Sequence, residues 1–300
     1  MKLGAIDIGS NAIRLLLMNV YESPTGPIFI KDTIYRIPLR LGEEAFLNGK
    51  FSTAKINSLI KALKAFKNIL DVHQTEIYMA CATSAMREAR NSKKVIEKIK
   101  EKTGIEIHVI SGSQEADIIF SNQLGEGPFS DNTNYLYIDV GGGSTELVLI
   151  SDGKLIDKWS FDIGTLRLKH NMVSNEAWRE MRVWLYKFRN EYSGIKGVGS
   201  GGNINHILKN HSKNKNNILS LEVIEVCYSM LKVIPDIDKQ INFRMRPDRA
   251  DVIVPALEIF RKIMNWLDID ELFVPKLGLP DGIIKKLYED TQNKKNKKSK

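Results

Sequence analysis

The chain has 300 residues, 43% hydrophobic and 27% charged, which is a globular balance with more chain than one core comfortably serves, and it excludes a stapled mini-protein and a disordered chain. The formal charge of +8 is concentrated at one end. Lys294, Lys295, Lys297, Lys298 and Lys300 lie in the last ten residues, which hold no acid, and without those five lysines 39 basic residues stand against 36 acidic, or +3. Nucleic-acid binding by the folded part is therefore not expected, and 291–300 reads as a basic disordered tail. Cys81 and Cys227 lie far apart in apolar contexts (MACAT, VIEVCYSM), so they read as buried small hydrophobes and not as a disulfide or a metal site. No apolar run approaches the ~18 residues that span a bilayer, and MKLGAIDIGS enters a strand pattern directly. The expectation is a cytoplasmic protein with no membrane partner.

In chain order, Leu3–Met18 (LGAIDIGSNAIRLLLM) reads as a strand ending in Asp7, a tight turn and a second strand. Ser52 or Thr53 caps a helix whose apolar residues Ile56, Leu59, Ile60, Leu63, Phe66, Ile69 and Leu70 recur every three or four positions. Strands at Glu76–Ala82 and Ile105–Ile110 flank a Ser92-capped helix that Gly104 ends, and Ser111 or Ser113 caps a short helix in SGSQEADIIF. Tyr135–Ile150 (YLYIDVGGGSTELVLI) repeats the opening pattern: aligning Asp7 with Asp139 puts Gly9 on Gly141 and Leu15 on Leu147, an offset of 132 residues. That spacing is too long for a solenoid and suggests a duplicated domain. GKLIDKWSFDIG reads as a strand, and Ser174 caps a helix bearing Trp178, Met181, Leu185 and Phe188. Ile195–Val198 leads into a glycine turn, GVGSGGN, with helices expected at 220–234 and 248–265, the latter interrupted by Pro255. The fold class is α/β with mixed sheets, divided as 1–123, 124–290 and the tail, with the boundary near 122–134.

The repeated turns carry the chemistry. Gly9, Ser10 and Asn11 in one, and Gly141, Gly142, Gly143, Ser144 and Thr145 in the other, can aim backbone N–H groups at an anion, and Arg14 could add a charge-assisted clamp. Neither is a Walker loop. As an echoed pair they favour phosphate binding over two plain hairpins. Asp139 and Glu146 offer the hard oxygens that Mg²⁺ takes, whereas for Asp7 a metal role and a turn-holding role stand level. Glu115, in the first turn of its helix, reads from spacing alone as part of a capping box more than as a base. The five histidines show no ligand spacing.

These segments together resemble the exopolyphosphatase / guanosine pentaphosphate phosphohydrolase (Ppx/GppA) family of the actin-like ATPase superfamily. The resemblance rests on AIDIGSNAIRL (5–15), ATSAMREA (82–89), ISGSQEA (110–116), YIDVGGGSTEL (137–147), GVGSGGN (197–203) and RADVIVPA (249–256). It implies two actin-like (ribonuclease H-like) domains with an interdomain cleft, and Mg²⁺- or Mn²⁺-dependent release of terminal phosphate from polyphosphate or guanosine pentaphosphate (pppGpp). It also implies Glu115 as the base that activates water and Asp139 and Glu146 as the acids that organise metal, with Asp7 a third candidate. Arg87 is implied at the cleft against substrate oxygens, although a salt bridge to Glu88 or Glu115 would serve it equally. Gly199, Gly201 and Gly202 would contact a nucleoside or polyphosphate. Dimers are common in such a family, so a homodimer is a further expectation, and the chain resembles the short two-domain members without helical C-terminal domains. Arg36, Arg40, Arg244, Arg246 and Arg249 could line a polyanion path or form ordinary salt bridges. Gln114 for the first glutamate of SGxEEA, Ala12, Asn203 and GLPDG (278–282) depart from the family pattern and bear on substrate identity. The rivals are an ATP-dependent kinase of the same superfamily, a non-catalytic sensor of pppGpp or polyphosphate, and a nucleic-acid tether in the basic tail.

Overall fold

The computed structural model describes residues 1–123, 133–211, 216–275 and 277–298. They form two compact units, one of Met1–Asn122 with the segment from Leu279 onward, the other Gln123–Gly278.

In the first unit β1 (Lys2–Ile8), β2 (Ile13–Tyr21) and β3 (Ile28–Ile37) form an antiparallel meander. Then come α1 (Leu41–Asn48), α2 (Thr53–Val72), β4 (Ile77–Ala82), α3 (Ser84–Glu88), α4 (Ser92–Thr103), β5 (Ile107–Val109) and α5 (Gly112–Gln123). β4 adds parallel to β1 and β5 parallel to β4, giving the order β3-β2-β1-β4-β5. The second unit opens with β6 (Asn134–Val140), β7 (Thr145–Ser151) and β8 (Lys154–Phe161), followed by α6 (Thr165–Lys169), α7 (Asn175–Arg189), β9 (Lys196–Ser200) and α8 (Gly202–His211). It continues through β10 (Ile218–Ser220), α9 (Leu221–Lys232), α10 (Asp236–Asn242), α11 (Pro247–Ala250), α12 (Ile253–Trp266) and β11 (Glu271–Phe273). Its sheet runs β10-β11-β9-β6-β7-β8, so the five strands from β8 to β11 repeat the first unit's order with the same parallel and antiparallel pairs. Even the β-bulges recur: one falls between Leu17 and Met18, the other between Leu149 and Ile150, again 132 residues on. The two expected α/β domains with mixed sheets are what the chain forms.

Both faces of β1 are buried, which is why it reads as a nearly unbroken apolar run. Ile6 and Ile8 face α2 and α4 through Leu63, Phe66 and Ile99, while Leu3 and Ala5 face the last helix, α13 (Leu279–Lys298), through Ile283, Ile284 and Leu287. Ser52 caps α2, its Oγ accepting from Lys55 N at 3.1 Å, and Ser174 caps α7 in the same way through Ala177 N at 3.1 Å.

Several expectations are corrected. Residues 279–290 belong with the first unit because the apolar side of α13 covers the β1–β2–β4 face, and Gly282 lets the helix approach so closely that a Cβ there would run into the Ile118 carbonyl. Residues 291–298 are not a disordered tail: they continue α13, since lysine is a good helix former and favours a helix C-terminus. α4 is capped at Asn91 and not at Ser92, and the Asn91 amide is spent on the Phe51 backbone (3.0 and 2.9 Å). Pro255 is the third residue of α12 and does not interrupt it, because a first-turn N–H has no intrahelical acceptor to lose. GVGSGGN is mostly the strand β9. β3 escapes the sequence pattern because it is an edge strand whose bulge changes the phase of alternation midway. The expected boundary segment falls largely outside the described residues. Among the described residues no helix is long and apolar enough to cross a membrane.

Ile284→Ala, at a fully buried position of α13, is expected to cost about 2–5 kcal/mol of stability by urea denaturation.

Candidate active site

The turns after β1 and β6 are held by the same device. In the first unit the Ser10 and Asn11 carbonyls accept from Gly42 N (2.8 Å) and Arg40 N (2.9 Å), at the start of α1. In the second, the carbonyls of Gly141 and Gly142 accept from Thr165 N (3.0 Å) and Leu166 N (2.8 Å) at the start of α6, and the Gly143 carbonyl from Arg167 Nε (2.7 Å). Thr145 Oγ1 adds a bond to the Ile163 carbonyl at 2.5 Å. With the carbonyls taken on one side, backbone N–H groups are what the glycine turn has to offer an anion. A Cβ on Gly164 would strike the Gly142 and Gly143 backbone, so only glycine lets α6 approach. Sequence reasoning missed Gly42, Gly164 and Arg167. Their signal is positional: RLGEE and IGTLR each follow the third strand of a meander.

Strand register then sets which side chains face one another. Across the first sheet Cys81, Asp7, Arg14 and Arg36 stand in one row; across the second, the corresponding row is Ser200, Asp139, Glu146 and Ser160. Asp7 is 2% exposed and its Oδ2 accepts from Arg14 Nη1 at 2.6 Å. Burial pushes its carboxyl above the usual range, against the pull of Arg14. Arg14 is thereby engaged with Asp7, and a carboxylate so paired suits turn-holding better than cation binding. In the second row two acids are opposed. Glu146, 1% exposed, accepts at Oε1 from Ser144 Oγ (2.7 Å) and Ser160 Oγ (2.8 Å), while Asp139 is half-buried beside Gly201. Like charges directly opposite on a hairpin destabilise it unless something compensates them. Two hard carboxylates suit a Mg²⁺ or Mn²⁺ ion whose other ligands are water and phosphate oxygens. Among the described residues no group of three or more His, Cys, Asp or Glu is gathered to hold a metal, so such an ion would depend on those outside ligands.

Glu115 is placed by its neighbour. The capping box of α5 is closed by Ser111 and Gln114: Gln114 N donates to Ser111 Oγ (3.1 Å) and Ser111 N to Gln114 Oε1 (2.8 Å). Glu115, about 100° further round the helix, is left out of the box and turned inward, 7% exposed, with its Oε2 3.8 Å from Arg87 Nη1. Arg87 Nη1 also donates to the Ile110 carbonyl at 2.7 Å, tying α3 to the residue that precedes the box. The salt-bridge reading of Arg87 toward Glu115 is thus observed. Burial pushes the Cys81 thiol up to about 12, aided by the charges of Asp7 and Glu115. Ser10 Oγ meets Ser84 Oγ at 2.8 Å. The turn, α3 and α5 all follow the carboxyl ends of the parallel strands β1, β4 and β5, the edge where open α/β sheets bind ligands.

The glycines of GVGSGGN (197–203) divide. Gly199 is a packing residue, since a Cβ would meet Leu272 at 2.5 Å. Gly201 (φ +113) turns over Asp139, and Gly202 opens α8 with Arg249 Nη2 3.6 Å from its Cβ position. Arg249 Nη1 lies 3.2 Å from His206 Nδ1, and His206 is pushed down to about 4 by burial and by Arg249, His211, Lys209 and Arg246. At neutral pH the ring is uncharged and accepts from Arg249. Of the other arginines expected on a polyanion path, Arg40 pairs with Glu43 at 2.7 Å.

A model of the Ppx/GppA phosphatase family matches residues 33–290. The chain belongs to that family. It is 28% identical over 97% of its length to the bifunctional 3-dehydroquinate synthase/phosphatase of Fusobacterium nucleatum, of which it spans about half (46%). It is 25% identical to exopolyphosphatase 2 of Mycobacterium tuberculosis, covering 94% of this chain and 97% of that one. A solved exopolyphosphatase from Cytophaga hutchinsonii shares the fold, with a TM-score of 0.81 at 23% identity over 97% of this chain and 98% of the other. Both runs that support the glycine turns from behind, RLGEE and IGTLR, fall inside the matched Ppx/GppA region.

In this Ppx/GppA protein Arg14→Gln should leave Asp7 buried without its cation. Because the folded carboxyl already binds its proton more tightly than the unfolded one, stability from this group is lost as pH rises through its raised value, and removing Arg14 widens that loss. The stability deficit of Arg14→Gln in urea is expected to be larger at pH 7.5 than at pH 4.5.

Proposed function

We propose that this chain is a phosphoanhydride hydrolase that releases terminal phosphate from inorganic polyphosphate, from pppGpp, or from both. The observation that carries the reading is Glu115, excluded from its capping box and buried beside Arg87 at the strand edge where the Ser10–Asn11 turn opens. A carboxylate on a helix start normally sits in solvent as a cap or a dipole partner. One turned inward beside a donor-rich turn suits a base. Family membership and the names of its relatives support the reaction class.

In this reading the turn amides at Ser10 and Asn11, in the unit that holds Glu115, bind phosphate oxygens, and within the second unit the amides at Gly142 and Gly143 are a like set of donors. Glu115 holds the attacking water at a carboxylate oxygen and takes its proton as the O–P bond forms. The leaving group is itself a phosphate, so little acid catalysis is needed. Arg87 keeps the Glu115 carboxylate oriented through its contact at Oε2 and its anchor on Ile110. Asp139 and Glu146 would hold Mg²⁺ or Mn²⁺, which when bound supplies neutralisation of phosphate charge. Arg249, with its Nη2 3.6 Å from the Cβ position of Gly202, would face the rest of a polyanionic or nucleotide substrate.

Glu115→Gln is expected to lower phosphate release by ~10²–10⁴-fold with an unchanged melting curve. The assay is a panel of tripolyphosphate, long polyphosphate, pppGpp and ATP with and without Mg²⁺. Unchanged release from Glu115→Gln would remove Glu115 as the base. Formation of ADP from ATP with a phosphorylated acceptor would point to a kinase, and tight binding without turnover to a sensor.

A further inference from the structure

We propose that Gly282 is a positioning residue for Glu115: by lacking a Cβ it seats α13 against α5 at a separation that keeps the Glu115 carboxylate in place. The inference rests on the reading of Glu115 as the base. Gly282 closes the GLPDG run and lies in the first turn of α13. A Cβ there would stand 2.3 Å from the Ile118 carbonyl oxygen of α5 and 2.6 Å from Ile118 Cγ2. Ile118 is three residues beyond Glu115, so the two side chains project from the same face of α5, about one turn apart. Both are buried, at 7% exposure, and Ile119 beside them is fully buried. The contact with α13 and the proposed base are thus neighbouring points on one helix face. A second contact lies further along: Lys285 donates from Nζ to the Ser121 carbonyl at 2.5 Å, the favourable pairing of a cation with a carbonyl in the last turn of a helix.

Space is the reason for glycine at this place. Gly282 is not in the left-handed region, so other residues could adopt its backbone, and glycine is a poor helix former. Only the close approach calls for it. Cβ atoms do not come within 3.0 Å of such an oxygen, so a side chain at 282 would part the two helices by about 0.7 Å or more. α13 is pinned to the sheet: Ile283 and Ile284 are fully buried among residues of β1, β2 and β4, Asp281 pairs with Lys31 of β3 at 2.6 Å, and the Tyr288 hydroxyl donates to Glu22 at 2.9 Å. The displacement therefore passes to α5. Arg87, 3.8 Å from Glu115, is anchored on the Ile110 carbonyl ahead of α5, so a shift of α5 moves Glu115 relative to Arg87 and to the Ser10–Asn11 turn. Misplacing a reacting group by about 1 Å through a change remote from the chemistry costs up to ~10²-fold in rate.

The test is a double-substitution cycle on the full chain with Gly282→Ala, Glu115→Gln and the two combined, read as phosphate release with Mg²⁺ from tripolyphosphate, long polyphosphate or pppGpp, whichever is turned over fastest. Gly282→Ala is expected to lower kcat ~10–10²-fold with KM little changed, and to add nothing in the Glu115→Gln background, because both changes act on the same group. Leu287→Ala, which loosens α13 on its sheet side, is the reference for stability: it is expected to lower the melting temperature and leave kcat unchanged. If Gly282→Ala does not fold, Lys285→Met, which releases the Ser121 carbonyl and keeps an apolar stem, enters the cycle in its place, with a fall in kcat that again vanishes in the Glu115→Gln background. Unchanged kcat in the variant used, a fall repeated in full in the Glu115→Gln background, or an equal fall in Leu287→Ala overturns the positioning role alone. Release that survives Glu115→Gln, or is absent from the unsubstituted protein with all three substrates, overturns the reading of Glu115 as base and this inference with it.

Discussion

Helix-start amides and one buried guanidinium draw the carbonyls of a glycine turn to one side, and the chemistry proposed for this chain depends on that constraint. A hairpin turn alone has no preferred partner for its backbone groups, and its N–H groups are as often spent on its own carbonyls or on water. Here Thr165, Leu166 and Arg167 engage Gly141, Gly142 and Gly143 from behind, and Gly164 makes the approach possible by lacking a Cβ. Arg40 and Gly42 do the same for Ser10 and Asn11. These bonds hold the turn in one arrangement, and donors fixed in advance would lower the ordering cost of the anion binding proposed for it.

Duplication explains both the regularity of the scaffold and the asymmetry of its chemistry. Strand order, pairing sense and the position of the β-bulge repeat, because they follow from backbone geometry and apolar patterning that both copies retain. The row of side chains at the turn end does not repeat. Asp7 with Arg14 is a closed ion pair, while Asp139 with Glu146 is an opposed pair of acids supported by serine hydroxyls. At the position across from the aspartate, arginine in the first unit is replaced by glutamate in the second, so an ion pair there gives way to two opposed acids.

A similar economy governs Glu115. The Gln114 departure from the family's paired glutamates is conservative in geometry: glutamine completes the capping box through its amide oxygen and the backbone amides of Ser111 and Gln114 are satisfied. An acid at 114 would have put a second negative charge beside Glu115. With a neutral amide there, Arg87 has one carboxylate to hold.

The paired Asp–Gly hairpins, the 132-residue offset and the helices capped by Ser52 and Ser174 could be read from the chain because each is written in local spacing: alternation for strands, three-and-four recurrence for helices, a hydroxyl at the cap. Glu115, Asp139 and Glu146 could be named as candidates, and the capping motif around Glu115 could be seen. What local spacing could not give was the partner of each group. That Gln114 and not Glu115 closes the box depends on which side of α5 faces the sheet. That Arg14 is taken by Asp7 while Glu146 is taken by Ser144 and Ser160 depends on register among three strands. That residues 279–298 form a helix on the first unit's sheet depends on the apolar face left open by β1, β2 and β4, strands far earlier in the chain than the helix that covers them. Local sequence sets the period and direction of each element; side chains distant in sequence decide, by burial and charge, what each functional group meets.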